Sequence, residues 1–303
     1  MTADRPDAAV QAGDSIDAPV AFAQVPPRGE DMAADDNGCG SMMRWTGVLL
    51  LGLVLAGCAA HEDKATPAQA GGPGNVVFLP DKPELEPKAV ELLQAMSARL
   101  AGAKTLSFTS VATYESPART GQPLAYMVKS EVMLERPNRL RVNTLGDGPR
   151  SDFIYDGKTV MAYTPGSDLV AVADAPDTID ATLKAAYDFA AIYFPFTDVI
   201  VADPWQGIAD QLRLAFVVGQ SNVVGNTKTD IVVIANDTTQ VQIWIGAEDR
   251  LPRRIRATYF NERGNYRHDA ELSNWKIDRK LPAGTFTSKE AMKAKQIPFA
   301  PPG

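Results

Sequence analysis

The pattern of hydrophobic and polar residues changes twice along the chain. An uncharged, mostly apolar run extends from Trp45 to Gly57. From Glu84, apolar residues recur at spacings of three and four, which predicts an amphipathic helix. After Leu106, apolar and polar residues alternate with a period of two, which predicts strands. The pattern therefore predicts a short apolar leader, one helix and then a sheet.

The first predicted helix has one apolar face and clear signals at both ends. Its apolar residues are Leu85, Ala89, Leu92, Leu93, Met96 and Leu100. Pro87 favours a first turn and Gly102 favours an end. A second helix is predicted from Asp177, as its N-cap, until Pro195, and a third, brief one from Asp203-Pro204.

Short strands separated by turn signals follow the first helix. The apolar faces of the first two strands contain Leu106, Phe108, Ala112, Tyr114, Leu124, Tyr126, Val128, Val132 and Leu134. Asp156-Gly157 marks a hairpin. Further strands are predicted near residues 214–220, 229–235, 240–246, 252–260 and 265–276. Trp244 and Trp275, on two of these strands, are predicted to lie in the core.

These elements predict an α+β fold with a strongly curved antiparallel sheet, an open or half β-barrel, and helices packed in its concave face. The helices are too few to cover both faces of a sheet, as a doubly wound fold requires. A concave face of this kind is filled by side chains or holds an apolar ligand. The candidate cavity-lining residues are Leu92, Met96, Phe108, Tyr126, Val128, Val132, Leu134, Ile243 and Ile245.

The apolar run near residue 50 ends in a cysteine. Thirteen residues are too few to cross a bilayer core of ~30 Å as a helix, but they fit the apolar part of a secretory signal, preceded by Arg44. Leu55-Ala56-Gly57-Cys58 resembles the lipobox of bacterial lipoproteins. The resemblance implies lipidation of the Cys58 thiol and signal cleavage between Gly57 and Cys58. A short buried helix with an incidental cysteine is the alternative.

These features divide the chain into four parts. Residues 1–41 are acidic and rich in Ala, Asp and Pro, and we expect a disordered extension ahead of the true start of translation. Residues 42–57 are predicted as a lipoprotein signal peptide, residues 58–82 as the lipidated cysteine and a flexible tether, and residues 83–303 as the half-barrel domain. Ala59 favours the outer membrane, by resemblance to the enteric sorting rule, with inner-membrane retention as the alternative.

Composition and charge argue against several classes of function. Residues 1–57 contain eight acids and three arginines, which leaves 27 basic and 29 acidic residues in the rest of the chain. This near balance argues against nucleic-acid binding. The chain has two cysteines and two histidines, so neither a disulfide framework nor a metal site of paired imidazoles is predicted. No cofactor is predicted either.

The sequence contains little that indicates catalysis. It lacks a Gly-x-Ser-x-Gly elbow, a phosphate-binding loop and a dinucleotide fingerprint. His268, the only histidine of the predicted domain, is predicted as a surface residue. Arg254 and Arg256 share a strand face that we expect to be solvated, with contact to acidic lipid headgroups as the alternative. Three aspartates are predicted as turn residues: Asp147, Asp152 and Asp156. No enzymatic activity is predicted.

Seven short stretches, in this order, resemble the predicted periplasmic proteins of domain-of-unknown-function family 2092 over roughly residues 83–300. They are Ala95-Met96-Ser97 with Leu100-Ala101, Tyr155-Asp156-Gly157-Lys158-Thr159, Pro176-Asp177-Thr178-Ile179-Asp180, Asp203-Pro204, Gln242-Ile243-Trp244-Ile245, Leu251-Pro252-Arg253-Arg254 and Lys295-Gln296-Ile297-Pro298-Phe299. The resemblance implies a fold similar to that of the outer-membrane lipoprotein carriers, in which a half barrel closed by helices shelters acyl chains.

Two functional hypotheses follow. The first is an outer-membrane-anchored periplasmic lipoprotein that binds an apolar ligand, a lipid or acyl chain, in the half-barrel cavity. Its partners would be the membrane, through the lipid anchor, and the machinery that processes and sorts lipoproteins. The second is a non-enzymatic structural or interaction protein of the cell envelope with a filled barrel.

Overall fold

The computed structural model of the protein describes residues 79–260 and 264–300. The predicted extension, the signal peptide, Cys58 and the tether as far as residue 78 lie outside the described residues. The interpretations of these segments therefore stay predictions.

Helices occupy a small part of the described chain. They are α1 (Pro87–Ala101), α2 (Ile179–Ala190), α3 (Thr197–Ile200) and α4 (Pro204–Ala209). Two 3-10 helices are shorter still, at Val224–Asn226 and Ala291–Lys293. Across residues 79–260 and 264–300, no helix combines the length and the apolar composition that crossing a bilayer requires.

Strands make up most of the fold. They are β1 (Glu84–Leu85), β2 (Thr105–Pro117), β3 (Pro123–Glu135), β4 (Arg139–Gly146), β5 (Ser151–Tyr155), β6 (Thr159–Thr164), β7 (Leu169–Asp174), β8 (Leu214–Ser221), β9 (Thr229–Ala235), β10 (Thr239–Gly246), β11 (Pro252–Tyr259), β12 (Arg267–Ile277) and β13 (Lys295–Ile297).

All thirteen strands belong to one curved sheet that does not close, in the order β1-β8-β9-β10-β11-β12-β2-β3-β4-β5-β6-β7-β13. Two antiparallel meanders, β2 to β7 and β8 to β12, meet where β12 pairs with β2. The pairs at the two edges, β1 with β8 and β13 with β7, are parallel. The predicted fold, a strongly curved and mostly antiparallel open sheet with a few helices, is confirmed.

The first helix begins later than the sequence predicts. Glu84 and Leu85 form β1, and the Glu86 N–H donates to the Ala215 carbonyl at 2.8 Å. This pairing keeps the chain extended until Pro87, whose missing N–H suits the first helical position. Leu85 is consequently 41% exposed, and its assignment to the apolar helix face is wrong.

The caps of the other helices lie close to the predicted positions. Thr178, rather than Asp177, is the N-cap of α2, because its hydroxyl accepts the Ala181 N–H at 3.2 Å. The helix ends when Ala191 adopts a left-handed conformation (φ 52°). Asp203 caps α4 as predicted and accepts the N–H groups of Trp205 and Gln206 at 3.1 Å.

The main hydrophobic core lies between the concave face and the four helices. One cluster of buried side chains joins all four helices to the inner faces of strands from both meanders. Trp275 packs against this cluster and stacks on Phe108 at 4.4 Å. Trp244 is half-buried on the outer face, with the Arg254 guanidinium 5.3 Å from its ring. Its predicted place in the core is wrong, because its neighbours Ile243 and Ile245 face inward.

The end of the chain covers part of the outer face. Residues 282–297 cross it, and Ala291 packs in a second, small apolar cluster with Ile154, Met161, Tyr163 and Val170. We call residues 282–297 the strap. Its last strand, β13, pairs with β7 and covers that edge of the sheet.

A buried ion pair fixes the strap. The Arg141 guanidinium donates to both Asp152 carboxylate oxygens, at 3.0 and 2.6 Å, and also to the Thr285 carbonyl of the strap at 3.0 Å. The Asp152 side chain is only 8% exposed. Asp152 therefore lies within a strand and is not a turn residue, whereas Asp147 and Asp156 accept backbone N–H groups at turns as predicted.

Asp152→Ala is expected to lower the free energy of unfolding by about 2–4 kcal/mol, because it leaves the Arg141 charge half-buried without its partner. Glu131→Ala serves as the control, since Glu131 is exposed and 3.8 Å from Lys129, and it should cost less than about 0.5 kcal/mol. Urea denaturation of both variants measures the difference. Equal losses in the two variants would contradict the role given to the buried pair.

Candidate functional site

The nine predicted cavity-lining residues lie on the concave face or on the helix that covers it. Seven of them belong to the main core cluster, each at most 4% exposed: Leu92, Met96, Phe108, Val132, Leu134, Ile243 and Ile245. Val128 is buried outside that cluster, and Tyr126 is half-buried near the end of the sheet. In this structure the face is filled by side chains, and a role for these residues in lining a ligand cavity stays a prediction.

Four small side chains lie together in the middle of the concave face. Ser110 is opposite Ser130, and Ala112 is opposite Ala270. All four are buried and face the same side as Phe108, because alternate residues of a strand share a face. We call these four residues the trough, since small side chains leave space above the sheet.

The segment Phe194-Pro195-Phe196, which follows α2, lies over the trough. We call these three residues the plug. The Phe196 ring meets Phe108 edge-on at 5.6 Å, and the Phe194 ring meets Phe153 at 5.3 Å. The two plug rings stack on each other at 5.6 Å. Pro195 lines a hollow together with Ala112 and Ala270 of the trough.

The hydrogen bonds of the plug are local to its own segment. The Ile192 N–H donates to the Ala186 carbonyl at 3.1 Å, and the Thr197 and Val199 N–H groups donate to the carbonyls of Phe194 and Phe196. The ring contacts described above are its contacts to the sheet. Burial of apolar surface, rather than strand pairing, therefore holds the plug on the concave face.

The hollow beside the plug opens at one end of the concave face. It is lined by Ala112, Thr113, Tyr114, Pro195, Ile255, Ala257, His268, Asp269 and Ala270. Its cavity volume is about 10 Å³, which is about the space that one water molecule needs. An acyl chain therefore does not fit unless the plug moves.

Aromatic side chains surround the opening of this hollow, which we call the mouth and define by Tyr114, Tyr126, Tyr259 and His268. Tyr114 stacks on Tyr126 at 5.4 Å, and the His268 ring meets Tyr114 at 6.0 Å and Tyr259 at 5.0 Å. Cross-strand pairing of His268 with Tyr114 brings β12 and β2 together at this point. His268 is half-buried, so its prediction as a surface residue is wrong.

His268 and Tyr114 of the mouth are neutral near pH 7. Burial lowers the pKa of His268 to about 4, against a smaller opposite effect of Glu115. Burial, followed by the proximity of Tyr126 and Asp147, raises the pKa of Tyr114 to about 12. The Tyr259 hydroxyl lies 3.5 Å from His268 Nδ1, which is longer than an ordinary hydrogen bond. Nothing in this arrangement prepares His268 to act as a base.

The charged neighbours of the mouth residues along the strands face the outer side of the sheet and form pairs. The Arg254 guanidinium donates to both Asp269 carboxylate oxygens, at 2.7 and 2.6 Å, and Arg267 lies 2.9 Å from Glu115. Within the described residues, no three side chains of the metal-binding types come together.

The sequence contains a feature that indicates the plug, although the hydrophobic periodicity does not show it. Pro195 marked only the end of a helix, while Phe194 and Phe196 belonged to no predicted element. Two aromatic residues beside a proline in a connection are costly to expose to water. That cost indicates that such a connection turns inward.

The model of the family described as predicted periplasmic protein (DUF2092) matches residues 89–300, more than half of the chain. The chain belongs to this family. The resemblance predicted from the seven short stretches is thereby confirmed. The DUF2092 description supports the periplasmic location that the leader predicts.

Several solved structures have similar folds at low identity. A conserved protein from Thermus thermophilus is 12% identical, with a TM-score of 0.40, over 70% of this chain and 99% of that one. The MucA/MucB complex from Pseudomonas aeruginosa is 17% identical, with a TM-score of 0.39, over 67% of this chain and 62% of that one. A LolA superfamily protein from Nitrosomonas europaea is 9% identical, with a TM-score of 0.30, over 66% of this chain and 97% of that one. Similarity at this level does not indicate a shared function. No curated protein matches this DUF2092 chain by sequence.

His268→Phe is expected to make the protein less sensitive to acid. The folded-state pKa of about 4 lies below the ordinary 6.5, so the unfolded chain binds a proton more readily, and stability is lost as pH falls from 6.5 towards 4. Phenylalanine keeps an aromatic ring and binds no proton. Between about pH 7 and pH 4.5, the variant should lose about 1–3 kcal/mol less than the wild type.

Urea denaturation at the two pH values measures this loss. His61→Phe is the matched control, because the other histidine lies outside the predicted domain, and its pH dependence should equal that of the wild type. Equal pH dependence of His268→Phe and the wild type would contradict the burial of a neutral imidazole at the mouth.

Proposed function

We propose that the protein is a lipid-anchored periplasmic protein, held at the outer membrane through Cys58, that shelters an apolar chain such as a lipid acyl chain on the concave face of its sheet. The observation that carries this proposal is the plug. Pro195 lies against Ala112 and Ala270 of the trough, and the Phe196 and Phe194 rings pack beside the trough on Phe108 and Phe153. No strand pairing holds this segment in place. The bound chain lies in the trough, where the plug lies in this structure.

The closed state, with the plug on the concave face, and the state with a bound acyl chain are comparable in free energy. Burial of two phenylalanine side chains stabilises the closed state by roughly 3–6 kcal/mol, at about 1.5–3 kcal/mol each. A bound acyl chain contributes about 0.8 kcal/mol for each buried methylene. Roughly four to eight methylene groups therefore offset the displacement of the plug. Long acyl chains meet this requirement, and short apolar metabolites do not.

The mouth supports entry from this end of the sheet. His268 and Tyr114 are neutral near pH 7. The charged neighbours of the mouth residues along the strands face the outer side of the sheet and are paired, Arg254 with Asp269 and Arg267 with Glu115. An apolar chain passing the mouth therefore displaces no strongly hydrated unpaired ion. The polar end of the ligand stays in water, where its hydration is not lost.

A second candidate is favoured by the filled concave face. Seven of the predicted cavity residues are in one closed cluster, and the remaining hollow is small. In this case the protein is a non-enzymatic structural or interaction protein of the envelope. The plug is then a permanent part of its core, and acyl chains do not bind.

Acyl-probe binding separates the two candidates. The full-length protein is expected to bind cis-parinaric acid with increased probe fluorescence, and native mass spectrometry of protein from a bacterial envelope should show bound lipid. Phe196→Leu should lower the stability and yet strengthen probe binding by about 3- to 10-fold, because a smaller side chain competes less well for the trough.

Phe286→Leu is the matched control, since Phe286 is a buried residue of the strap and, within the described residues, makes no ring contact with the plug. It should lower the stability in a similar way without strengthening probe binding. Absence of probe binding in every variant, together with lipid-free protein from the envelope, would establish the filled barrel instead.

Cys58→Ser is expected to abolish lipidation and to release the protein from the membrane fraction. Serine has no thiol to carry the lipid, and loss of the acyl chains removes about 0.8 kcal/mol of membrane affinity for each methylene. Mass spectrometry of the mature protein and membrane fractionation measure both effects. Cys39→Ser is the matched control and should leave the mature mass unchanged. An unchanged mature mass in Cys58→Ser would refute the anchor.

A further inference from the structure

Hydroxyl groups lie in the trough on an otherwise apolar face. Ser110 is 1% exposed and Ser130 is 2% exposed. The two residues are direct neighbours on adjacent strands, which brings the Cβ atoms of such a pair to about 4.5–5.5 Å. Both point to the side covered by the plug, because they share their strand faces with Phe108 and Val132.

These hydroxyls are poorly satisfied. In the part of the chain that the structure describes, Ser110 Oγ has no hydrogen-bond partner. The contact of Ser130 Oγ is with Thr144 Oγ1 at 3.4 Å, whereas ordinary O–H···O distances are about 2.5–3.0 Å. A buried hydroxyl without a partner is destabilising, and an alanine in its place avoids that cost. The phenyl rings and the proline side chain of the plug offer these serines neither a donor nor an acceptor.

We propose that Ser110 and Ser130 bind a hydroxyl group carried partway along the apolar ligand, so that the ligand class is a hydroxylated acyl chain. This inference rests on the proposed function, since the chain must first replace the plug. Each serine hydroxyl donates one hydrogen bond and accepts others. A ligand hydroxyl placed between them donates to one serine and accepts from the other.

The position of the serines sets the position of the ligand hydroxyl. Ser110 is four residues from Tyr114 at the mouth, which is about 13 Å along a strand at roughly 3.3 Å per residue. The carboxylate of a fatty acid stays at the mouth, because burial of an unpaired charge is costly. The matching hydroxyl therefore lies far along the chain and not beside the carboxyl group.

Competition for the cis-parinaric acid site tests this inference with the full-length protein. The competitors are octadecanoic, 2-hydroxyoctadecanoic and 12-hydroxyoctadecanoic acids. The 12-hydroxy acid should bind about 3- to 10-fold more tightly than octadecanoic acid, as expected for one added hydrogen bond. The 2-hydroxy acid should show no gain.

Ser110→Ala should remove this preference, so that octadecanoic and 12-hydroxyoctadecanoic acids bind the variant with equal affinity. Ser107→Ala is the matched control, because Ser107 lies on the same strand but on the opposite face, and it should keep the preference. The midpoint of thermal unfolding of Ser110→Ala should equal or exceed that of the wild type, since the change removes a buried hydroxyl without a partner.

The outcomes separate this inference from the proposed function. Equal binding of octadecanoic and 12-hydroxyoctadecanoic acids overturns the inference and leaves the acyl-binding function intact. If the double variant Ser110→Ala/Ser130→Ala still prefers 12-hydroxyoctadecanoic acid, the inference is also overturned and the acyl-binding function stays intact. If no acid and no probe binds, the proposed function fails and the inference fails with it.

Discussion

The concave face of a sheet that does not close must be removed from water, and this structure has few helices with which to do so. Helix α1 and the short helices α3 and α4 cover one part of that face, and the rings of Phe194 and Phe196 cover another. The free edges pose a second demand, because unpaired strand edges recruit other chains. Two-residue β1 and three-residue β13 cover them in part, and the Glu86 carboxylate accepts the next edge N–H, that of Val217, at 2.7 Å.

Coverage by a connecting segment differs physically from coverage by a strand. A strand is fixed by a ladder of hydrogen bonds along its length, whereas the plug depends on the packing of its two rings on Phe108 and Phe153. In the function that we propose, the segment that completes the core is also the one that an apolar chain replaces. Ser110 and Ser130 are the exception to this packing: within the described residues the Ser110 hydroxyl has no partner, and the Ser130 hydroxyl has only a long contact with Thr144.

Local patterns predicted most of the fold, because alternation along a strand depends only on which face meets the core. The same alternation explains the error at Trp244. Its neighbours Ile243 and Ile245 face inward, so Trp244 faces outward, although a large apolar ring favours the core. The short elements β1, β13 and α3 have too few residues to show a period. The candidate site was less predictable, since the neighbours of His268 depend on the pairing of β12 with β2, and no local pattern encodes that pairing.

The seam between the two meanders has a consequence for how the chain folds. Strand β2 is synthesised early, but one of its two neighbours is β12, more than 140 residues later in the chain. The β2 edge of the first meander therefore stays unpaired until nearly the whole chain is available. Pairings of such long range form slowly and leave aggregation-prone surfaces exposed in the meantime. A chain with this topology depends on protection during its biogenesis, whatever the stability of the finished sheet.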